Sequence, residues 1–408
     1  MGRVGWMAEL AGAALLAWAA SWGAEDVVLG TVVDGVDVKL FIPDGIEVLR
    51  GIGVHAAHYE MNPQDRWAET FRKMGFAHAA LNMDLKRTNR PTILRRTLDA
   101  GLKEFAEKSG HPELVHLPFL GVGHSAGGLV TSTLLRTPER TITCCVSCGW
   151  ITNPAKLEPS QLGVPQLFTL GAIPDAFKML PGIEECFVRA RKKGLPWGLG
   201  LQWGCAHDFA NSATLFIPWV EAVAEARLPK DASALGGPVK LRELKEKDGW
   251  LGDRGTWETH FATVASWADY RGDRSAAVWL PNRYVACVWR AFQSKNPPVV
   301  LEAATADGRA KLPPANPKAE RGLMVDPDAE LRLEATVAGG AAVKKVQFHD
   351  GDVLLGEATQ APWQFTWKSI PRGPHALFVQ WETADGTRGV SNPALLIVRK
   401  TALKGAAK

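Results

Sequence analysis

Hydrophobic positions fall into two regimes along this chain. Between Val27 and Arg227, short apolar runs alternate with longer stretches whose apolar residues recur every three to four positions. Val27 to Val33 and Val36 to Ile42 alternate apolar and polar residues around Asp34-Gly35, which predicts a hairpin. Further strands are predicted over Ile46 to Val54, Phe76 to Asn82, Leu117 to Val122, Thr141 to Ser147, Val164 to Leu170 and Gly198 to Trp203. Helices are predicted between them over Gln64 to Met74, Pro91 to Lys108, Gly127 to Leu135, Ile183 to Lys193 and Ser212 to Arg227. Strands and helices taken in turn predict an α/β fold, a mostly parallel sheet with helices on both faces.

Beyond this region the pattern changes. Residues 231–310 are rich in tryptophan, with loop-like segments at Gly249 to Asp253 and Ala276 to Pro281 and a strand or helix over Arg283 to Phe292. They read as an extension packed on the first domain. A proline-bearing linker follows, over 311–325. Glu330 to Val337, Val343 to Phe348, Val353 to Leu355, Trp363 to Trp367, His375 to Trp381 and Ala394 to Val398 are short alternating runs separated by turns such as Asp350-Gly351. They predict a small all-β sandwich over 326–400.

Composition narrows the function classes. The net charge is +4, with both signs interspersed, which gives no electrostatic footprint for nucleic acid. No later segment is apolar for long enough to span a bilayer. Residues 1–24 combine Arg3, the apolar stretch Leu10 to Ala20 and small residues before Glu25, as a signal peptide does. Glu9 and three tryptophans also fit an irregular N-terminal helix. Export implies a secreted or periplasmic protein in an oxidising compartment. There the six cysteines, at 144, 145, 148, 186, 205 and 287, could pair, with a connectivity that sequence leaves open.

The chemistry concentrates at Gly123-His124-Ser125-Ala126-Gly127, between a predicted strand and a predicted helix. A serine flanked by small residues at such a junction fits a nucleophile elbow, where the turn exposes the hydroxyl at the tip of the sheet. A neutral hydroxyl needs a base, and the base needs an orienting acid. Asp175 follows the strand Val164 to Leu170, and His207 follows the strand Gly198 to Trp203, giving the order Ser125, Asp175, His207. Rivals are His260 for the base and Glu184, Glu185 or Asp208 for the acid. An oxyanion needs two N–H donors, expected from the backbones of Ala126 and Ala56. His55, Tyr59 and Trp150 are candidate substrate contacts, and Trp203 divides between pocket and core. His55-x-x-His58 lacks the helical arrangement of a zinc site, so no metal is expected.

From Glu25 to about Arg227 the chain resembles the α/β-hydrolase superfamily, nearest to secreted dienelactone-hydrolase-like esterases. The resemblance rests on the elbow, the order of the three residues, His111-Pro-Glu-Leu114 and Arg227-Leu-Pro229. The tail, with Val343-Lys-Lys-Val-Gln-Phe-His-Asp-Gly351, Ala361-Pro-Trp-Gln-Phe-Thr-Trp367 and Gly373-Pro-His375, resembles bacterial immunoglobulin-like modules. Together they imply a serine carboxylic-ester hydrolase that needs no cofactor. Its substrate would be an ester, polymeric where the module is used: a polysaccharide-linked, aryl or polyester substrate. A serine peptidase of the same fold and a non-catalytic secreted binding protein remain as alternatives.

Overall fold

The computed structural model describes residues 27–56, 59–62, 64–82, 90–149, 153–173, 180–339 and 342–399. The signal-peptide reading of residues 1–24 lies outside them.

An eight-stranded sheet forms the first layer, in the order β1-β2-β4-β3-β5-β6-β7-β8. Its strands are β1 (Val27–Val33), β2 (Val36–Ile42), β3 (Gly51–Ala56), β4 (Phe76–Asn82), β5 (Phe119–His124), β6 (Thr141–Ser147), β7 (Gln166–Gly171) and β8 (Trp197–Gln202). The β1–β2 and β2–β4 pairs are antiparallel, and every pair from β4 onward is parallel. This is the mostly parallel α/β sheet that the alternation of strands and helices predicts.

Two apolar layers cover the sheet. On one face α2 (Pro91–Ser109) and α3 (Leu129–Leu134) bury Leu94, Leu98, Leu102, Val130 and Leu134 against Val38, Val54 and Phe119. On the other, α1 (Arg66–Met74), α4 (Leu180–Arg191), α5 (Ser212–Arg227) and α6 (Arg283–Gln293) bury Trp67, Phe187, Phe216, Trp219 and Trp289. Strands buried on both faces read as continuous apolar runs, which is why β6 carries no alternation. Asp65 starts α1: its Oδ1 accepts from the N–H groups of Trp67 and Ala68, each at 2.9 Å.

The extension holds more order than its sequence suggests. β9 (Trp250–Gly252) lies between β10 (Val264–Ser266) and β11 (Val278–Leu280) in a small antiparallel sheet. Strands of three residues are too short for alternation to register.

The sandwich also begins earlier than expected. Val299–Thr305 (β12), placed by sequence in the extension, pairs antiparallel with β14 (Leu331–Val337), which pairs in turn with β17 (Gln364–Trp367). Gly322–Val325 (β13), placed in the linker, pairs with β20 (Ala394–Val398). The second sheet continues through β18 (Gly373–Thr383), β15 (Val343–Asp350) and β16 (Val353–Ala358). The cause is burial: Val299, Leu301, Ala303, Leu323 and Val325 close the core around Phe348 and Val379. The sandwich is seated on the first domain through polar contacts, Arg372 to Glu69 at 2.9 Å and Asn211 Nδ2 to the Pro393 carbonyl at 2.8 Å.

Candidate active site

Strand β5 ends at His124, and Ser125 takes φ +53°, a left-handed conformation that costs an L-residue about 1–2 kcal/mol. The small neighbours are steric requirements. A Cβ on Gly123 would lie 2.1 Å from the Gly127 carbonyl oxygen, and one on Gly149 would lie 2.6 Å from that of Ser125. The chain continues as a single 3₁₀ turn, Ser125–Gly128, before α3, so Ala126 sits where a helix leaves its N–H groups free of intrahelical bonds.

The loop between β8 and α5 brings His207 across the top of the sheet. Its Nε2 lies 2.7 Å from Ser125 Oγ, although the residues are 82 positions apart. Gly171, at the end of β7, packs so tightly on this loop that a Cβ there would meet the Ala206 oxygen at 1.9 Å. The Ile173 N–H donates to the Cys205 carbonyl at 3.1 Å. The Cys148 and Cys205 thiols each reach the carbonyls of Ala206 and Asp208, at 3.7 and 3.8 Å. All six cysteines are free thiols in this structure. Burial pushes the Cys205 thiol up to about 11, which keeps it protonated and able to donate.

Asp175 and Trp150 lie outside the described residues, as does His58. The rival acids are placed differently. Glu184 pairs with Arg254, and Glu185 with Arg189 on its own helix. Asp208 follows His207 directly. His260 packs on Trp381 of the sandwich at 6.0 Å between ring centres. Trp203 leaves the Ser125 cavity: its indole N–H donates to the Gln293 carbonyl at 2.8 Å, and it lines a separate cleft with Asn296 and Pro317.

Ser125 opens onto a cavity of about 370 Å³, lined also by Ala56, Ala126, Tyr59, Trp67 and Phe209. Its walls are aromatic and uncharged apart from Arg66. His55 stacks on Tyr59 with ring centres 4.1 Å apart, and its Nδ1 is 2.8 Å from His78 Nε2. Burial holds His55 far below its ordinary pKa, helped by His78 and Arg66, and holds His78 at about 3. Tyr59 donates to Asp65, the residue that caps α1, and burial raises its phenol above the ordinary value. Burial also lowers His124, whose ring centre is 5.3 Å from that of His207.

The structure therefore brings together Ser125, His207, Ala126, Ala56, His55 and Tyr59. It adds Arg66, Trp67, His124 and Phe209, which sequence reasoning missed. The position of Phe209, two residues past His207, was the one available signal. Nothing in the spacing links α1 to the elbow.

Residues 320–387 match the family model of the bacterial Ig domain. No curated protein matches the chain. Among solved structures, the dienelactone hydrolase of Anabaena variabilis is 18% identical, with a TM-score of 0.36, covering 50% of this chain and 99% of its own. Est1E from Butyrivibrio proteoclasticus is 14% identical, with a TM-score of 0.32, covering 48% of this chain and 96% of its own. The fibronectin(III)-like modules of Clostridium thermocellum CbhA are 22% identical, with a TM-score of 0.20, covering 25% of this chain and 99% of their own.

Proposed function

We propose that this chain is a serine carboxylic-ester hydrolase. The observation that carries the proposal is the 2.7 Å contact between Ser125 Oγ and His207 Nε2, made at the mouth of an aromatic cavity by a serine in a left-handed turn. A hydroxyl at that distance from an imidazole can pass its proton as it attacks a carbonyl carbon. His207 then returns the proton to the departing alkoxide, leaving an acyl group on Ser125. Water, deprotonated by the same imidazole, attacks the acyl carbon and frees the acid.

Asp175 is proposed as the carboxylate that steadies the imidazolium, from the loop that begins at Gly171 against the histidine loop. The N–H groups of Ala126 and Ala56 are proposed as the oxyanion donors. Both residues line the Ser125 cavity, and a preorganised donor pair acts where charge develops. His55, Tyr59 and Trp150 are proposed to contact substrate. The ring-lined walls favour an apolar or aryl group on the ester. The export reading of the N-terminus and the immunoglobulin-like tail favour a secreted enzyme acting on polymer-linked esters.

Short-chain 4-nitrophenyl esters test this directly. Turnover by the native protein and its loss in Ser125→Ala are expected. Cleavage of peptide amides alone would replace the esterase with a peptidase. Silence on both, with retention on polysaccharide, would make the chain a binding protein.

A further inference from the structure

Glu320 lies outside the hydrolase sheet, on the segment that leads into β13, yet its carboxylate reaches the wall of the Ser125 cavity. Its Oε2 is 2.7 Å from Nη1 of Arg66. Arg66 is the only cationic side chain among the described residues lining that cavity. The guanidinium carbon lies 5.9 Å from the centre of the Phe209 ring, two residues from His207. Its Nε is buried and has no hydrogen-bond partner among the described residues.

The rest of the lining adds no charge at neutral pH. Burial favours the neutral rings of His55 and His124 and the neutral phenol of Tyr59. The Arg66 charge in the catalytic domain is thus met directly by Glu320 from the C-terminal segment, while the Asp65 carboxylate stays on the Tyr59 hydroxyl behind the wall. Without Glu320, Arg66 would present a cation stripped of its direct partner to whatever enters, in a partly desolvated site where charge interactions are stronger than in water.

We infer that Glu320 is a specificity-determining residue: it cancels the Arg66 charge, so that the cavity selects esters with an uncharged acyl group. The idle Arg66 Nε–H is then a donor for a neutral acceptor on that group, such as an ether, carbonyl or hydroxyl oxygen. An acyl group bearing a carboxylate must instead compete with Glu320 for the guanidinium and meets its repulsion. The inference rests on the ester-hydrolase reading, and it gives the sandwich module a share in the active site.

The test compares 4-nitrophenyl butyrate with the anionic mono-4-nitrophenyl succinate, reading the ratio of kcat/KM for anion over neutral ester. In Glu320→Gln the ratio is expected to rise by about tenfold or more, mainly through KM for the anion. In Arg66→Gln, which leaves Glu320 unbalanced, it is expected to fall by about tenfold. Two variants moving in opposite directions separate a charge effect from a folding defect, and melting curves accompany both. Ratios within about twofold of wild type in both variants would overturn the role of Glu320 while leaving the esterase intact. No ester turnover by the wild-type protein would overturn the hydrolase reading, and this inference with it.

Discussion

Two histidines mark the two halves of this molecule. His375, in the sandwich, has both ring nitrogens occupied: Nδ1 by Asp350 at 2.7 Å and Nε2 by the Pro371 carbonyl at 2.7 Å. Asp350 also accepts from Tyr284 of α6 and from the Ala376 N–H. Every partner there is a settled donor or acceptor, so the Asp–His pair holds the seam between domains. His207 instead faces the hydroxyl of a strained serine beside a cavity. A histidine with both ring nitrogens saturated is held as part of the scaffold, whereas one whose nitrogen meets a hydroxyl is placed to take its proton.

Breaking each half should give opposite outcomes. His207→Ala is expected to lower kcat/KM on aryl esters by about 10⁴-fold with little change in melting temperature. His375→Ala is expected to leave kcat within a few-fold while costing about 1–3 kcal/mol of stability, because it leaves Asp350 Oδ2 and the Pro371 carbonyl without their partner in a buried seam. Urea unfolding and ester kinetics on the same two preparations check both. If stability fell in the first and activity in the second, the contrast would be wrong.

The elbow itself gives the next effects. Gly123→Ala drives a methyl group into the Gly127 carbonyl and should displace Ser125 Oγ, costing about a hundredfold in kcat. Ser125→Gly removes the nucleophile but also the left-handed penalty. It should therefore be dead yet more stable by about 1 kcal/mol, as denaturant midpoints would show.

The smallest effect is a pH dependence. Burial opposes a charge on His375, but the hydrogen bond and charge of Asp350, with the Pro371 carbonyl, outweigh it and raise the pKa above 6.5. A raised histidine pKa stabilises the fold fully below the unfolded value, and that gain is lost as pH rises through the folded value. Melting temperature should therefore fall more steeply in wild type than in His375→Asn as pH rises from below 6.5 through the raised His375 value. Parallel curves would remove His375 from the seam's energetics.

Much of this was legible in the sequence where a local rule applied. The buried strands announced themselves as apolar runs, and Gly123 marked the elbow because a Cβ there would strike the Gly127 carbonyl. The order of nucleophile and base identified His207 among ten histidines, since only it follows both a strand and a candidate acid. What escaped has no local signature. Arg66, Phe209 and Glu320 meet because three separate elements converge, and no periodicity joins them. β12 was assigned to the extension because its inward residues, Val299, Leu301 and Ala303, face a core built from strands far along the chain.

The proposed mechanism requires Ser125 to be a nucleophile made reactive by His207. Labelling with a fluorophosphonate, followed by peptide mapping, tests it most directly. The adduct should sit on Ser125, and its rate of formation should drop by orders of magnitude in His207→Ala. An adduct on any other residue, or an unchanged rate without the imidazole, would rule this mechanism out.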